Sequence, residues 1–169
     1  MRLRTVGAIA LVLVGAVAVP TLADSGGSNL RADLGGAEEV PAVSTEAAGE
    51  FVARFIDDST IEFSLTYSGL EAAPTQAHIH VGQPDVNGGI SVWLCSNLDS
   101  PPTPAGVQAC PASGTVTETI EPGDVVGPGP QGITAGEFDE LVTMIRAGLA
   151  YANVHSTSFP TGEIRGQIR

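Results

Sequence analysis

Between residues 30 and 168 the chain is a series of short segments in which apolar and polar positions alternate. Leu30, Ala32 and Leu34 fall on one side of a first segment. Phe51, Ala53 and Phe55 alternate with Glu50, Val52 and Arg54. After the turn residues Asp57-Asp58-Ser59, the residues Ile61, Phe63, Leu65 and Tyr67 alternate with Thr60, Glu62, Ser64 and Thr66. Period two is the signature of a half-buried strand, and two such runs joined by a turn predict a hairpin. Gln76 to Val81 and Ile90 to Cys95 flank Asn87-Gly88-Gly89, which predicts a second strand pair across a turn. Thr115 to Ile120, Tyr151 to His155 and Glu163 to Ile168 read as further strands, and residues 121–132, EPGDVVGPGPQG, as a loop. One stretch has another period. Phe138, Leu141, Ile145 and Leu149 recur at helical spacing, Thr134 stands three before Glu137 as in a capping box, and Gly148 marks a stop, so a short helix is expected over about 135–148. The sum is an all-β fold: an antiparallel, Greek-key-like sandwich or barrel of about eight strands with one short helix inserted.

The N-terminus departs from this pattern. Arg2 and Arg4 precede an uncharged apolar run from Val6 to Val19, and Ala23 follows at a small-residue cleavage position. This is the form of a secretory signal peptide over residues 1–23. The run is shorter than the roughly 20 residues of a membrane span. Residues 24–29 read as a flexible lead and 30–169 as the folded domain. The expected product is a secreted or periplasmic protein with no stable membrane insertion once the signal is removed.

Composition narrows the function. The 169 residues carry a formal charge of −12, with 19 acids against 7 Arg and no Lys. Cleavage at Ala23 removes two of those Arg and no acid. Such a chain lacks the clustered cations that attract phosphate backbones, which excludes nucleic acid as a partner. Gly and Pro, 21 and 12 of them, suit many short strands and turns. In an exported chain the two cysteines, Cys95 and Cys110, are most simply a disulfide closing a proline-rich loop; a metal thiolate at Cys95 is the alternative.

The three histidines are the candidate chemistry. His78 and His80 form H-x-H, and His155 closes YANVHS. On strands, His78 and His80 share a face opposite Ala77, Ile79 and Val81, and Tyr151, Asn153 and His155 share a face opposite Ala152 and Val154. If the two strands are neighbours, three imidazoles converge. Three nitrogen ligands suit one Cu or Zn ion. Ring nitrogens within about 3–4 Å of one another would permit a shared metal. The competing reading is three histidines bonded to neighbouring strands or simply exposed. Asn153 and Glu163 are candidate supports, Glu163 as a fourth ligand or as acceptor of a ligand's other ring N–H, although a cross-strand ion pair with an Arg is the favoured reading of Glu163. Asp85 to Gly89 reads as a turn rather than a Ca²⁺ loop, and Trp93 as packing.

Taken in order, LGGAEEVPAV (Leu34 to Val43), Gly49, AHIHVG (Ala77 to Gly82), Trp93-Leu94, AGLAYANVHS (Ala147 to Ser156) and PTGEIRGQI (Pro160 to Ile168) resemble the CHRD domain, the module named after chordin that also occurs singly in exported bacterial proteins. The resemblance spans nearly all of the chain after the signal. Pro41-Ala42 stands where the family usually has a double proline. The Cys95–Cys110 loop and the 121–132 segment look like local elaborations. The resemblance implies a β-rich extracellular domain. The expectation is an exported, non-enzymatic module with a binding or structural role, whose partner is an extracellular protein or surface ligand and whose histidines form a metal site. The alternative is a dedicated Cu/Zn-binding protein or copper metalloenzyme using the same three His.

Overall fold

A computed structural model describes residues 29–169. The expected signal peptide and all but the last residue of the expected lead lie outside the described residues. Eight strands form the fold: β1 (Leu30–Gly35), β2 (Ala48–Asp57), β3 (Thr60–Ser68), β4 (Pro74–Val81), β5 (Gly89–Ser96), β6 (Gly114–Ile120), β7 (Ala150–Ser156) and β8 (Ile164–Gln167). They make one sheet in the order β5-β4-β7-β8-β1-β2-β3-β6, with every neighbouring pair antiparallel. The sheet curls into a nearly closed, barrel-like form, so of the sandwich and the barrel left open by the pattern, the barrel describes the molecule.

The local reason for each strand is the alternation itself. In β3, Ile61, Phe63, Leu65 and Tyr67 are buried while Glu62, Thr66 and Ser68 are exposed. Phe51 and Ala53 of β2 lie opposite Leu65 and Phe63, and the Phe51 and Phe63 rings stack at 6.0 Å. One-residue slippage would carry these side chains to solvent, so the core fixes the register. The same interior receives Leu30, Ala32 and Leu34 from β1, Ala77 and Ile79 from β4, Ala152 and Val154 from β7, and Ile164 from β8.

The helix, α1 (Phe138–Arg146), is shorter than the expected 135–148. Only half of the capping box forms. The Glu137 carboxylate accepts from the Thr134 backbone N–H at 2.6 Å, but no side chain caps the helix from its own N-cap residue, Glu137. Thr134 therefore sits in the turn before the helix. Phe138, Leu141, Val142 and Ile145 bury the apolar stripe against the barrel core. Gly148, with φ of +70°, turns the chain into β7 in a conformation that costs a glycine little. Two short 3₁₀ turns, Pro122–Asp124 and Gly129–Gln131, punctuate the loop expected over 121–132.

Cys95 and Cys110 are joined by a disulfide. It ties the end of β5 to the segment entering β6, beside the seam where the sheet does not close. Asn97 supports it: its amide donates to the carbonyls of Pro74 and Cys110, and its side-chain oxygen accepts from the Cys110 N–H.

Strand β7 differs from the rest. All seven of its residues are buried, on both faces. Its inner face is aliphatic. Its outer face, with that of β4 and β8, lies beneath three loops: 36–47, 82–88 and 157–162. Asn87 joins the first two by donating to the Val40 carbonyl. A polar sheet face is thereby shut away from water, and the functional candidates are on it.

Candidate metal centre

Strands β4 and β7 are direct neighbours, with His78 opposite Asn153, His80 opposite Tyr151 and Gln76 opposite His155. That pairing brings together residues 77 positions apart, and the His78 and His155 rings meet with their centroids 5.1 Å apart. His78, His80 and His155 are 0, 8 and 6% exposed. One ligand-capable nitrogen from each lies within 4.8 Å of the other two, wider than the expected 3–4 Å, so the rings must draw closer to share one ion at 2.0–2.1 Å. His78 Nδ1 and His155 Nε2 are 3.3 Å apart. Two nitrogens bound tetrahedrally to one metal at 2.0–2.1 Å are separated by about 3.3–3.4 Å, so this pair already has the span of a coordination edge.

Hydrogen bonds decide which nitrogen of two rings is free. A backbone carbonyl can only accept, so each ring nitrogen bonded to one carries the proton. His80 Nδ1 donates to Gly88 O at 3.0 Å, and His155 Nδ1 donates to Pro160 O at 3.0 Å. Both rings therefore present an Nε2 lone pair, that of His155 toward His78 Nδ1. This is the arrangement that orients metal-binding imidazoles and makes them better donors. The Nε2 atoms of His78 and His80 are buried without a hydrogen-bond partner. Buried polar atoms are rarely left so; an ion shared with the Nδ1 of His78 would satisfy His80 Nε2 and leave His78 Nε2 on the far side of its ring.

The surroundings favour neutral rings. Burial pushes His78 down to about 2, helped by His155 and His80, and pushes His80 down to about 4 against the hydrogen bond to Gly88. His155 is lowered as well, by burial, with the Pro160 bond opposing. Near neutral pH these nitrogens hold lone pairs rather than added protons, the state a metal requires.

Aromatic side chains wall the cluster. Trp93 meets His78 edge to face at 4.3 Å, and Tyr151 stacks parallel on His80 at 4.9 Å. The guanidinium of Arg165, 2% exposed, lies 3.6 Å above the other side of Tyr151. Arg165 Nη2 donates to the carbonyls of Gln83 and Val86, and the Tyr151 hydroxyl accepts from Gly88 N–H. The loop that supplies the His80 acceptor is thus held from two directions.

Asn153 donates to Glu39 Oε1 at 2.6 Å and to Ile164 O, and makes no bond to an imidazole. Burial pushes the Glu39 carboxyl up to about 7, against the opposing pull of Asn153 and Arg165. Glu163 corrects the expectation of a cross-strand ion pair. It is fully buried, and its Oε1 accepts from Thr45 Oγ1 at 2.9 Å and from the Glu71 N–H at 2.8 Å. The ion pairs among the described residues are made by Arg31 and Arg54, while Arg165 is turned to loop 82–88. A carboxylate beside a folded-over loop finds neutral donors before it finds a cation. Glu163 also lies outside the group of three that can share a metal.

Glu39, Tyr151, Arg165 and the carbonyls of Gly88 and Pro160 have no assigned role in the sequence reading. The signal was present, since all but Gly88 fall within AEEVPAV, AYANVHS and PTGEIRG. Their roles come from loop closure, which leaves no periodic trace.

Two expected results follow from this packing. Metal-free protein loses stability on acidification. His78 and His80 bind protons in the unfolded chain below about pH 6.5 but not in the fold, whereas Glu39 binds one more proton folded than unfolded between about 4.5 and 7. The balance leaves the unfolded chain ahead by at least one proton, so stability present above pH 6.5 falls by about 1.4 kcal/mol per pH unit as pH drops toward 4.5. Urea midpoints measured across that range check it, and a midpoint that rises on acidification contradicts it. Gly162 has φ of +128°, and a Cβ there would meet Glu39 Oε1 at 2.5 Å and Asn153 Nδ2 at 2.8 Å. Gly162→Ala is expected to cost about 1–3 kcal/mol, read as a lower urea midpoint; an unchanged midpoint would show that the loop has room.

The fold and site define an all-β, barrel-like domain with a buried three-histidine cluster on its loop-covered face. The sequence model of the CHRD domain matches residues 30–168. The chain belongs to the CHRD domain family. No curated protein and no solved structure matches it. The disulfide fits the extracellular setting of that family, and among the described residues no helix is long and apolar enough to cross a membrane.

Proposed function

We propose that this CHRD domain is an exported, non-enzymatic metal-binding module that holds one copper or zinc ion through His78, His80 and His155. The observation that carries the reading is the pairing of a 3.3 Å nitrogen–nitrogen edge with two imidazoles whose protons are committed to backbone carbonyls. His80 uses only its Nδ1 within the fold, and its Nε2 is buried without a partner. Gly88, Pro160, Tyr151 and Arg165 hold the rings, and the metal supplies the missing partner. The site lies under loops rather than in an open cleft, which supports a carrier or structural role over turnover of a bulky substrate. An extracellular protein or surface ligand is the kind of partner the module would meet, in the periplasm or outside the cell.

The test is metal analysis of protein recovered from the exported fraction, beside His78→Ala and His155→Ala. About one equivalent of Cu or Zn is expected in the wild-type protein and little in either variant. Equal metal in all three would remove the reading.

A further inference from the structure

The donor set says more than that a metal fits. The three ligands are neutral imidazoles, and no carboxylate or thiolate joins the group that can share an ion. The two buried acids are engaged elsewhere, Glu39 with Asn153 and Glu163, through Oε1 alone, with Thr45 and the Glu71 amide. The charged group that bears on the cluster is Arg165. It is one aromatic ring away from His80, and its positive charge opposes charge on that imidazole. Its Nη1 is buried without a partner, and its Nη2 spends its bonds on neutral carbonyls. Among the described residues no ion pair cancels the charge, and Glu39, which feels it, is kept close to neutral by burial, its carboxyl pushed up to about 7.

We infer that the centre selects the monovalent cuprous ion over divalent ions, and that the Arg165 guanidinium sets this preference. The inference rests on the metal-binding reading above and narrows it to one ion. Three physical terms point the same way. The Born cost of moving an ion out of water grows with the square of its charge, so a divalent ion loses about four times as much on burial as a monovalent one of similar size. Among the described residues no anionic ligand joins the group to offset that cost. Repulsion from Arg165 is twice as large for a divalent ion. Ligand number agrees: with three imidazoles zinc needs a water as its fourth donor, whereas a cuprous ion can be held by three. Imidazole serves both metals, so the discrimination comes from charge and coordination number rather than donor type.

The full-length exported protein is titrated without oxygen against bicinchoninate for Cu(I), and in parallel against chromophoric chelators for Zn(II) and Cu(II). Cu(I) is expected to bind at least about 100-fold tighter than Zn(II), with ascorbate-reduced copper retained where Cu(II) is surrendered to the chelator. Arg165→Met removes the charge and keeps the bulk. It is expected to shift the ratio of Cu(I) to Cu(II) affinity toward Cu(II) by about tenfold or more, and Arg165→Lys to restore most of the preference. Zn(II) binding as tightly as Cu(I) in the wild-type protein overturns the proposal and needs no variant to fold. An unchanged ratio in a folded Arg165→Met removes the role of Arg165. Failure of every ion to bind overturns the metal-binding reading itself, which separates the two.

Discussion

Metal is expected to raise the unfolding temperature of the wild-type protein, and His78→Ala to abolish the rise. An ion that binds only the folded chain stabilises it by about 2.7 kcal/mol at a free concentration 100 times its Kd. For a domain of this length that corresponds to roughly 5–10 °C. His78 is the sensitive position because it is fully buried and touches both other rings. The substitution also leaves a cavity and lowers the baseline stability by about 1–3 kcal/mol. The informative quantity is therefore the increment caused by copper or zinc, not the absolute midpoint. His155→Ala is expected to behave alike, since His155 supplies the other end of the 3.3 Å edge. Calorimetry with and without one equivalent of metal reads it directly. An equal increment in wild type and His78→Ala would place the ion elsewhere.

The second large effect belongs to the disulfide. Cys95 and Cys110 are separated by 15 positions, and closing a loop of that size removes about 3 kcal/mol worth of chain entropy from the unfolded state. Replacing both by Ala is the clean variant, because the two side chains are buried and Ala leaves no thiol to react. Its midpoint is expected to fall by roughly 6–12 °C at unchanged fold. Most of the loss should remain local. The bridge sits at the β5–β6 seam, whereas the histidines belong to β4 and β7, so metal affinity should change little in the same variant. A double variant as stable as the wild type would mean that Asn97 and the proline-rich loop already restrict that segment. Loss of metal along with stability would show that the seam and the site unfold together.

The strands were legible because their cause is local. Alternation from Ile61 to Tyr67 follows from a backbone that turns successive side chains to opposite faces, and no distant contact is needed to read it. The Asp57-Asp58-Ser59 turn was legible for the same reason, since the Asp57 carboxylate accepts from the Ser59 N–H two residues on. The helix was less so. Thr134 and Glu137 have capping-box spacing, but the reciprocal bond did not form and the helix began later. Capping is a competition between turn and helix that the following packing decides.

The site divides along the same line. That His78 and His80 share a face follows from period two, and so does the placing of His155 with Asn153 and Tyr151. Which strands are neighbours does not follow. β4 pairs with β7 between positions 69 to 82 apart, and local propensity is silent on pairings of that range. Burial was hidden as well. Polar outer faces normally meet water, and this one is dry because three loops fold across it and are pinned by Asn87, Arg165 and Asn153. Glu163 shows the consequence. A strand position suggests a cross-strand ion pair with an Arg, and its neighbours in space are Thr45 and a backbone amide. The sequence by itself determined the all-β class, the strand faces, the cysteine pair and the three imidazoles, since each rests on short-range geometry or on the choice of residue. Tertiary structure alone decided the strand order, the closing loops, the ring tautomers and the place of Arg165, because each depends on contacts between distant segments that exist only once the sheet has curled.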